Sequence, residues 1–144
     1  MTDDTERLAA RQAGLASWKN ESVANLMDWA VTVGVDPQAM LENPWSGIAP
    51  VEKMLRDEDL STLDRDQRNW LTSRLLVHVA AILAQANGGG WAVDDDPESP
   101  SYTRYVIESD GRRFDPGQAV INYFTDPPGR SLVQRISDAE AAAT

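Results

Sequence analysis

The segment from about residue 65 to residue 86 constrains the fold more than any other part of the chain. Asp64 followed by Gln67 is a capping-box pattern that starts a helix. Glycines 88, 89 and 90 end it, because glycine takes the left-handed conformation without a steric penalty. The apolar residues fall on one broad side of this helix (Leu71, Leu75, Leu76, Val79, Ile82, Leu83 and Ala86) and on a second arc (Trp70, Val77, Ala81 and Ala84). A helix that is apolar nearly all round is usually buried on more than one side, so we expect it to be central.

Shorter helices are expected before this one. Asp3 with Glu6 predicts a first helix that ends near Gln12, ahead of Gly14. A second helix follows Ser22 and ends at Gly34, and its predicted apolar face comprises Val23, Leu26, Met27, Ala30 and Val31. The Asp36-Pro37 pair predicts a short helix through about Leu41, and Pro50 opens another that carries Val51, Met54 and Leu55.

The pattern changes to strands after the three glycines. Residues 91–93, 102–108 and 112–114 predict a small antiparallel meander of two or three strands, with a tight turn at Asp110-Gly111. Two further helices begin near Asp115-Pro116 and Ser131. The chain is therefore expected to form one α+β domain over residues 1–144, mainly helical, with the meander (about 91–114) packed on helices and short frayed tails at both ends.

Charge and composition exclude several classes of function. The net charge is −10, a field that repels phosphate backbones and anionic membranes, so neither nucleic acid nor a membrane is an expected partner. The same field attracts a basic protein. Without cysteine the chain has no disulfide and no thiolate metal site. The acidic start has no apolar stretch behind it, so we expect no secretory signal and a cytoplasmic location.

No residue pattern establishes a catalytic or metal site, and we expect no cofactor. His78, the single histidine, lies near the edge of the long helix's apolar side and is expected to be packed with one hydrogen-bond partner. The acidic run Asp94-Asp95-Asp96, together with Glu98, lacks the spacing of a calcium loop. We interpret it as a solvated linker. The Gly129-Arg130-Ser131 sequence could bind an anion at a helix N-terminus, but a turn with an N-cap is the favoured interpretation.

The five tryptophans are the most informative side chains for a binding function. Most of them should be in the core, since large aromatic residues dominate cores and interfaces. Trp45 lies in a predicted turn and Trp70 on the second arc, so either could anchor a partner. The candidate partner-binding residues are Trp45, Trp70, Asp94, Asp95 and Asp96.

Residues 70–140 resemble small uncharacterised bacterial domains of an actinobacterial type. The matching features are Gly88-Gly89-Gly90-Trp91 after a long helix, Tyr105-Val106-Ile107 in a strand pair, Asp115-Pro116, and Pro128-Gly129-Arg130-Ser131-Leu132 before a closing helix. These are turn and cap residues, so the resemblance implies a shape with C-terminal helices, and it implies no activity and no functional residue.

Three classes of function remain open. The leading hypothesis is a non-enzymatic acidic protein-binding domain, such as an immunity or inhibitor protein for a basic partner, or an acidic mimic of nucleic acid. The second is a small-ligand-binding protein or enzyme, with His78, Tyr102 or Arg104 lining a pocket beside the meander. The third is a structural accessory subunit, such as a homodimer formed through the second arc.

Overall fold

The computed structural model describes residues 2–144, and Met1, part of the predicted N-terminal tail, lies outside them. Within these residues the chain forms six α-helices and three β-strands, joined in part by 3-10 turns at Pro44–Gly47 and Leu60–Thr62. In chain order the elements are α1 (Thr2–Val33), α2 (Pro37–Glu42), α3 (Ile48–Leu55), α4 (Arg65–Asn87), β1 (Gly90–Val93), β2 (Tyr105–Ser109), β3 (Arg112–Phe114), α5 (Pro116–Thr125) and α6 (Leu132–Ala141). The predicted α+β class, mainly helical with a small sheet, is confirmed.

The central position of α4 follows from its sequence. Asp64 accepts a hydrogen bond from the Gln67 backbone at 2.8 Å, and the Gln67 side chain accepts one from the Asp64 backbone at 3.0 Å. Gly88 takes the left-handed conformation and ends the helix, as predicted. Leu75, Val79 and Ile82 are fully buried, so the broad apolar side of α4 forms the middle of the core.

The sheet has the order β1-β2-β3, with antiparallel pairs throughout. Ile107 pairs with Trp91 on one side and with Phe114 on the other. The second strand was predicted from residue 102, but it starts at Tyr105. Thr103 has a φ of 72° and donates its N–H to the Asp94 carbonyl at 2.8 Å, so the chain turns there instead of continuing as a strand.

The first two predicted helices are a single helix, α1, and the predicted end before Gly14 is wrong. The reason is a close contact with the sheet. The Tyr105 hydroxyl donates to the Arg11 carbonyl at 2.8 Å and lies 3.0 Å from where a Cβ on Gly14 would be. Because Gly14 has no side chain, the Tyr105 ring of β2 can pack against this part of α1. Asp3 lies in the first turn of α1 rather than before it.

The buried face of α1 is also rotated from the predicted one. Leu26 and Ala30 are buried, with Trp29 and Ser22 beside them, while Val23, Met27 and Val31 are exposed. The buried residues face α4 and the sheet. Because α1 packs on the second arc of α4, Val77 is buried there and Trp70 remains that arc's exposed large side chain.

The remaining helices agree closely with their predicted starts. Asp36 caps α2 by accepting from the Ala39 backbone at 3.0 Å, and Asp115 and Ser131 cap α5 and α6 in the same way. The third helix begins at Ile48, two residues before the predicted Pro50. Where we expected a frayed C-terminus, α6 continues to Ala141, and the Thr144 N–H donates to the Arg113 carbonyl at 3.1 Å.

Candidate protein-binding site

Trp70 is held in place on the surface by two contacts. Its ring lies edge-to-face with the buried Trp29 ring at a centroid distance of 5.9 Å, and the Arg74 guanidinium lies 5.3 Å from its centroid. Arg74 is in turn fixed by an ion pair with Asp28 at 2.9 Å. With 41% of its surface exposed, Trp70 is a large apolar side chain whose position is set before any partner arrives.

Trp70 forms one wall of an apolar groove of about 570 Å³, which we call the Trp70 groove. Leu55, Leu63 and Leu71 form its apolar base, and the exposed Met54 stands at its side. The groove exists because the end of α3, the start of α4 and the end of α1 meet here without a side chain that fills the gap. Its complete lining is Thr32, Met54, Leu55, Leu63, Asp66, Gln67, Trp70 and Leu71.

An acidic stretch of chain follows Leu55 and ends at Asp66, two residues that line the groove. Residues 57–66, here called the acidic segment, contain five carboxylates (Asp57, Glu58, Asp59, Asp64 and Asp66) against one guanidinium, that of Arg65. Hydrogen bonds from the Ser61 hydroxyl and backbone N–H lower the pKa of Asp59, and Asp64 caps α4. Among the residues that the structure describes, none of the five forms an ion pair within 4.0 Å.

In the acidic run Asp94-Asp95-Asp96, expected to be solvated, the first aspartate is a buried structural residue. Asp94 is completely buried, and its carboxylate accepts hydrogen bonds from the Ser99 and Ser101 hydroxyls, both at 2.5 Å. Burial opposes ionisation of Asp94, but the bonds from Ser101, Ser99 and the Asp96 backbone and the charge of Arg113 outweigh it and lower its pKa. A partner therefore cannot reach this carboxylate on the folded surface.

Asp95 is exposed and Asp96 is half-buried, but both already face a cation. Arg113 lies 3.4 Å from an Asp95 carboxylate oxygen and 3.7 Å from one of Asp96. The structure thus places this run against β3, whereas Trp70 packs on α1. The sequence did not predict that the three aspartates differ in burial or that they face a cation, because Arg113 lies far along the chain.

The other four tryptophans differ in burial: Trp29 is buried, Trp18 and Trp91 are half-buried, and Trp45 lies at the surface. Trp29 is fully buried, and Trp18 stacks on Tyr105 with a centroid distance of 4.9 Å and meets Trp91 edge-on at 5.2 Å. Trp45, in the 3-10 turn after α2, is 38% exposed and lines no part of the Trp70 groove. Trp45 and Trp70 thus occupy separate surroundings.

His78 is a core residue with both ring nitrogens occupied. Trp29 Nε1 donates to His78 Nδ1 at 3.1 Å, so Nε2 carries the hydrogen and donates to the Pro44 carbonyl at 2.7 Å. Burial lowers the pKa of His78, although its bond to Pro44 acts in the opposite direction. The sequence predicted packing with one partner; the second partner comes from the turn at Pro44.

The cleft beside the meander is not lined by the residues that the sequence suggested. It has a volume of about 250 Å³ and includes Arg113, Asp115 and Arg135, but not His78, Tyr102 or Arg104. Arg104 instead forms an ion pair with Asp115 at 2.7 Å. Both arginines of the cleft are already paired with carboxylates, which reduces their capacity to bind an anion.

At the Gly129-Arg130-Ser131 turn, the polar groups that could bind an anion already bond to the protein itself. Arg130 is buried and donates to the Leu55 and Arg56 carbonyls at the end of α3, the latter at 3.2 Å. Ser131 caps α6 by accepting from the Gln134 backbone at 3.1 Å. The turn and N-cap interpretation is confirmed.

Residues 2–144 contain no cluster of three or more histidine and carboxylate side chains placed to hold a metal ion. In the same range, none of the helices has both the length and the apolar character of a membrane span. Comparison of the chain with protein-family models, curated proteins and solved structures found no significant match.

Proposed function

We propose that this domain binds a basic protein, which inserts an apolar anchor into the Trp70 groove and places cationic side chains against the acidic segment. One observation carries the proposal: an exposed, fixed tryptophan in an apolar groove lies beside carboxylates that have no ion pairs among the described residues. Tryptophan is enriched among the residues that dominate binding energy. Unpaired carboxylates would speed encounter with a basic partner and favour it over acidic competitors.

The more specific form of the proposal is an immunity or inhibitor protein that neutralises a basic toxin. The net charge of −10 supports it, since a charged inhibitor can capture an oppositely charged target rapidly. Tight capture then depends on apolar contacts that exclude water, which the groove can provide.

The test compares four versions of the tagged protein in affinity capture from its own host at physiological salt: wild type, Trp70→Ser, Trp45→Ser and Val133→Ser. Val133 is exposed on α6 and serves as the matched apolar control. Dissociation constants are then measured with the captured protein in purified form. Trp70→Ser should weaken binding by about 2–4 kcal/mol, the range of a binding hot spot, and Val133→Ser should leave it unchanged.

Two outcomes would overturn the proposal. One is a captured protein whose affinity is the same for wild type and Trp70→Ser. The other is an affinity that does not change with salt, because contact with the acidic segment must weaken as ions screen it. Loss of binding in Trp45→Ser alone would move the site to the turn after α2.

A further inference from the structure

A second cleft, of about 320 Å³, lies between α1 and α4 above the sheet. Its α4 wall contains Ala80, Ala81 and Ala84, and these small side chains do not fill the space against α1. Trp91 and Ile107 close it from the strands. It shares no lining residue with the Trp70 groove, so this α1–α4 cleft is a separate site.

Ser22 supplies a buried polar group to this apolar cleft. Only 6% of its surface is exposed, and its hydroxyl has no hydrogen-bond partner among the described residues. A helical serine can bond to the carbonyl four residues earlier, and a buried hydroxyl without a partner destabilises the fold. The Ser22 hydroxyl can donate a hydrogen bond, so it suits an acceptor atom of a ligand in the cleft.

Lys19 supplies a positive charge at the same place. It is the single charged residue in the lining of the cleft, and it has no ion pair among residues 2–144. Lys19, Ser22 and Leu26 lie on one face of α1, at helical spacing. An ammonium group, a hydroxyl and an apolar wall therefore follow one another along the helix.

We propose that the α1–α4 cleft binds a small apolar carboxylic acid in its ionised form. The carboxylate accepts hydrogen bonds from Lys19 and Ser22, and the hydrocarbon part lies among Ala81, Ala84 and Trp91. The volume is at the lower end of the range for small-molecule sites, which favours a short aliphatic chain or a single aromatic ring. The net charge of −10 does not prevent this, because physiological salt screens exposed charges beyond about 8 Å.

The probes are octanoate, 3-phenylpropionate and the uncharged 3-phenylpropionamide, titrated into the full chain and followed by amide NMR shifts. Both acids should bind saturably and shift resonances of residues 19–26 and 77–84. The amide should bind more weakly than its acid. Lys19→Gln should weaken binding of both acids about tenfold and leave the amide unchanged, since it removes one charge-assisted hydrogen bond.

The chain offers a matched control, because Lys53 on α3 is its other lysine. Lys53→Gln should bind acids and amide as the wild type does. Ser22→Ala preserves the helix and should weaken binding of both acids. Ala81→Leu fills the cleft and should abolish their binding. The proposal is overturned if the acids do not bind saturably at millimolar concentration, if Lys19→Gln leaves their affinity unchanged, or if the shifts map to other residues. None of these results depends on Trp70, so the two proposals stand or fall separately.

Discussion

Two buried polar side chains on the helices that form the core have opposite hydrogen-bonding states. His78 has a partner on each ring nitrogen, whereas the Ser22 hydroxyl has none among the described residues. The difference matters for stability, because an unpaired buried group costs free energy that a paired one does not. His78 is thus a structural residue and Ser22 a candidate for binding.

The state of His78 predicts how stability depends on pH. The unfolded chain takes up a proton near pH 6.5, whereas burial lowers the pKa of His78 in the fold. The unfolded state therefore binds more protons below pH 6.5, and the free energy of unfolding should fall as the pH drops from about 7 towards the lowered pKa. A proton on Nδ1 would also face the Trp29 N–H, which costs about 1–3 kcal/mol.

Urea unfolding of wild type and His78→Gln at a series of pH values measures this effect. Acid also reduces the net charge of −10 and relieves repulsion, so the quantity to compare is the difference between the two proteins. That difference should be nearly constant above pH 7 and shrink below pH 6.5. A difference that is independent of pH would mean that His78 titrates equally in both states.

Asp94 and Asp95 are neighbours, but we expect them to contribute differently to the free energy of unfolding. Asp94→Asn should lower the free energy of unfolding by about 1–3 kcal/mol, because the buried carboxylate accepts bonds from Ser99 and Ser101. Asp95→Asn should change it by less than about 0.5 kcal/mol, as expected for an exposed ion pair. Urea unfolding at neutral pH measures both, and equal effects would contradict the enclosure of Asp94.

The residue scale also shows what the sequence could not provide. The position of Trp70 on the second arc of α4 and the packing of His78 follow from helical periodicity, which is local, whereas periodicity left open whether Trp70 is exposed. The charge that faces Asp94 comes from Arg113 in β3, and Met54 in α3 lines the Trp70 groove. Contacts between such distant positions leave no local pattern, so these parts of the site were missed.

At the scale of elements, local rules succeeded wherever a cap or stop was satisfied within its own segment. The ends of α4, the start of α2 and the starts of α5 and α6 are of this kind. The rules failed at Gly14 and Thr103, where another element determines the backbone. Tyr105 of β2 packs against Gly14 inside α1, and the Asp94 carbonyl accepts the Thr103 N–H at the turn.

The junction between α4 and β1 provides a prediction with an adjacent control. A Cβ on Gly89 would lie 2.4 Å from the Glu108 carbonyl oxygen, whereas a Cβ on Gly90 would meet nothing within 4 Å. Gly89→Ala should therefore lower the free energy of unfolding by about 1–3 kcal/mol, since β2 cannot move away without breaking the sheet. Gly90→Ala should change it little. Thermal unfolding of both variants is the measurement, and equal melting temperatures would contradict the close approach.

At the scale of the whole molecule, charge and core have separate roles. The core joins α1, α4, the sheet and the C-terminal helices through apolar contacts. The excess of carboxylates contributes nothing to that core, and mutual repulsion among them disfavours the compact state. Some carboxylates compensate by pairing, as Asp126 does with Arg135 at 2.7 Å, whereas those of the acidic segment form no ion pair within residues 2–144.

This imbalance predicts that one substitution raises stability and weakens partner binding. Glu58→Lys should raise the free energy of unfolding by about 0.5 kcal/mol at low salt, and the gain should shrink at high salt. Asp126→Lys should lower it instead, because Arg135 would lose its ion pair with Asp126 and keep only the one with Asp138. Urea unfolding at two salt concentrations measures both effects. The same Glu58→Lys protein should associate more slowly with the proposed basic partner, as stopped-flow mixing would show. If Glu58→Lys left stability at low salt unchanged, repulsion in the acidic segment would be negligible; if it left association unchanged, the partner would not approach over that segment.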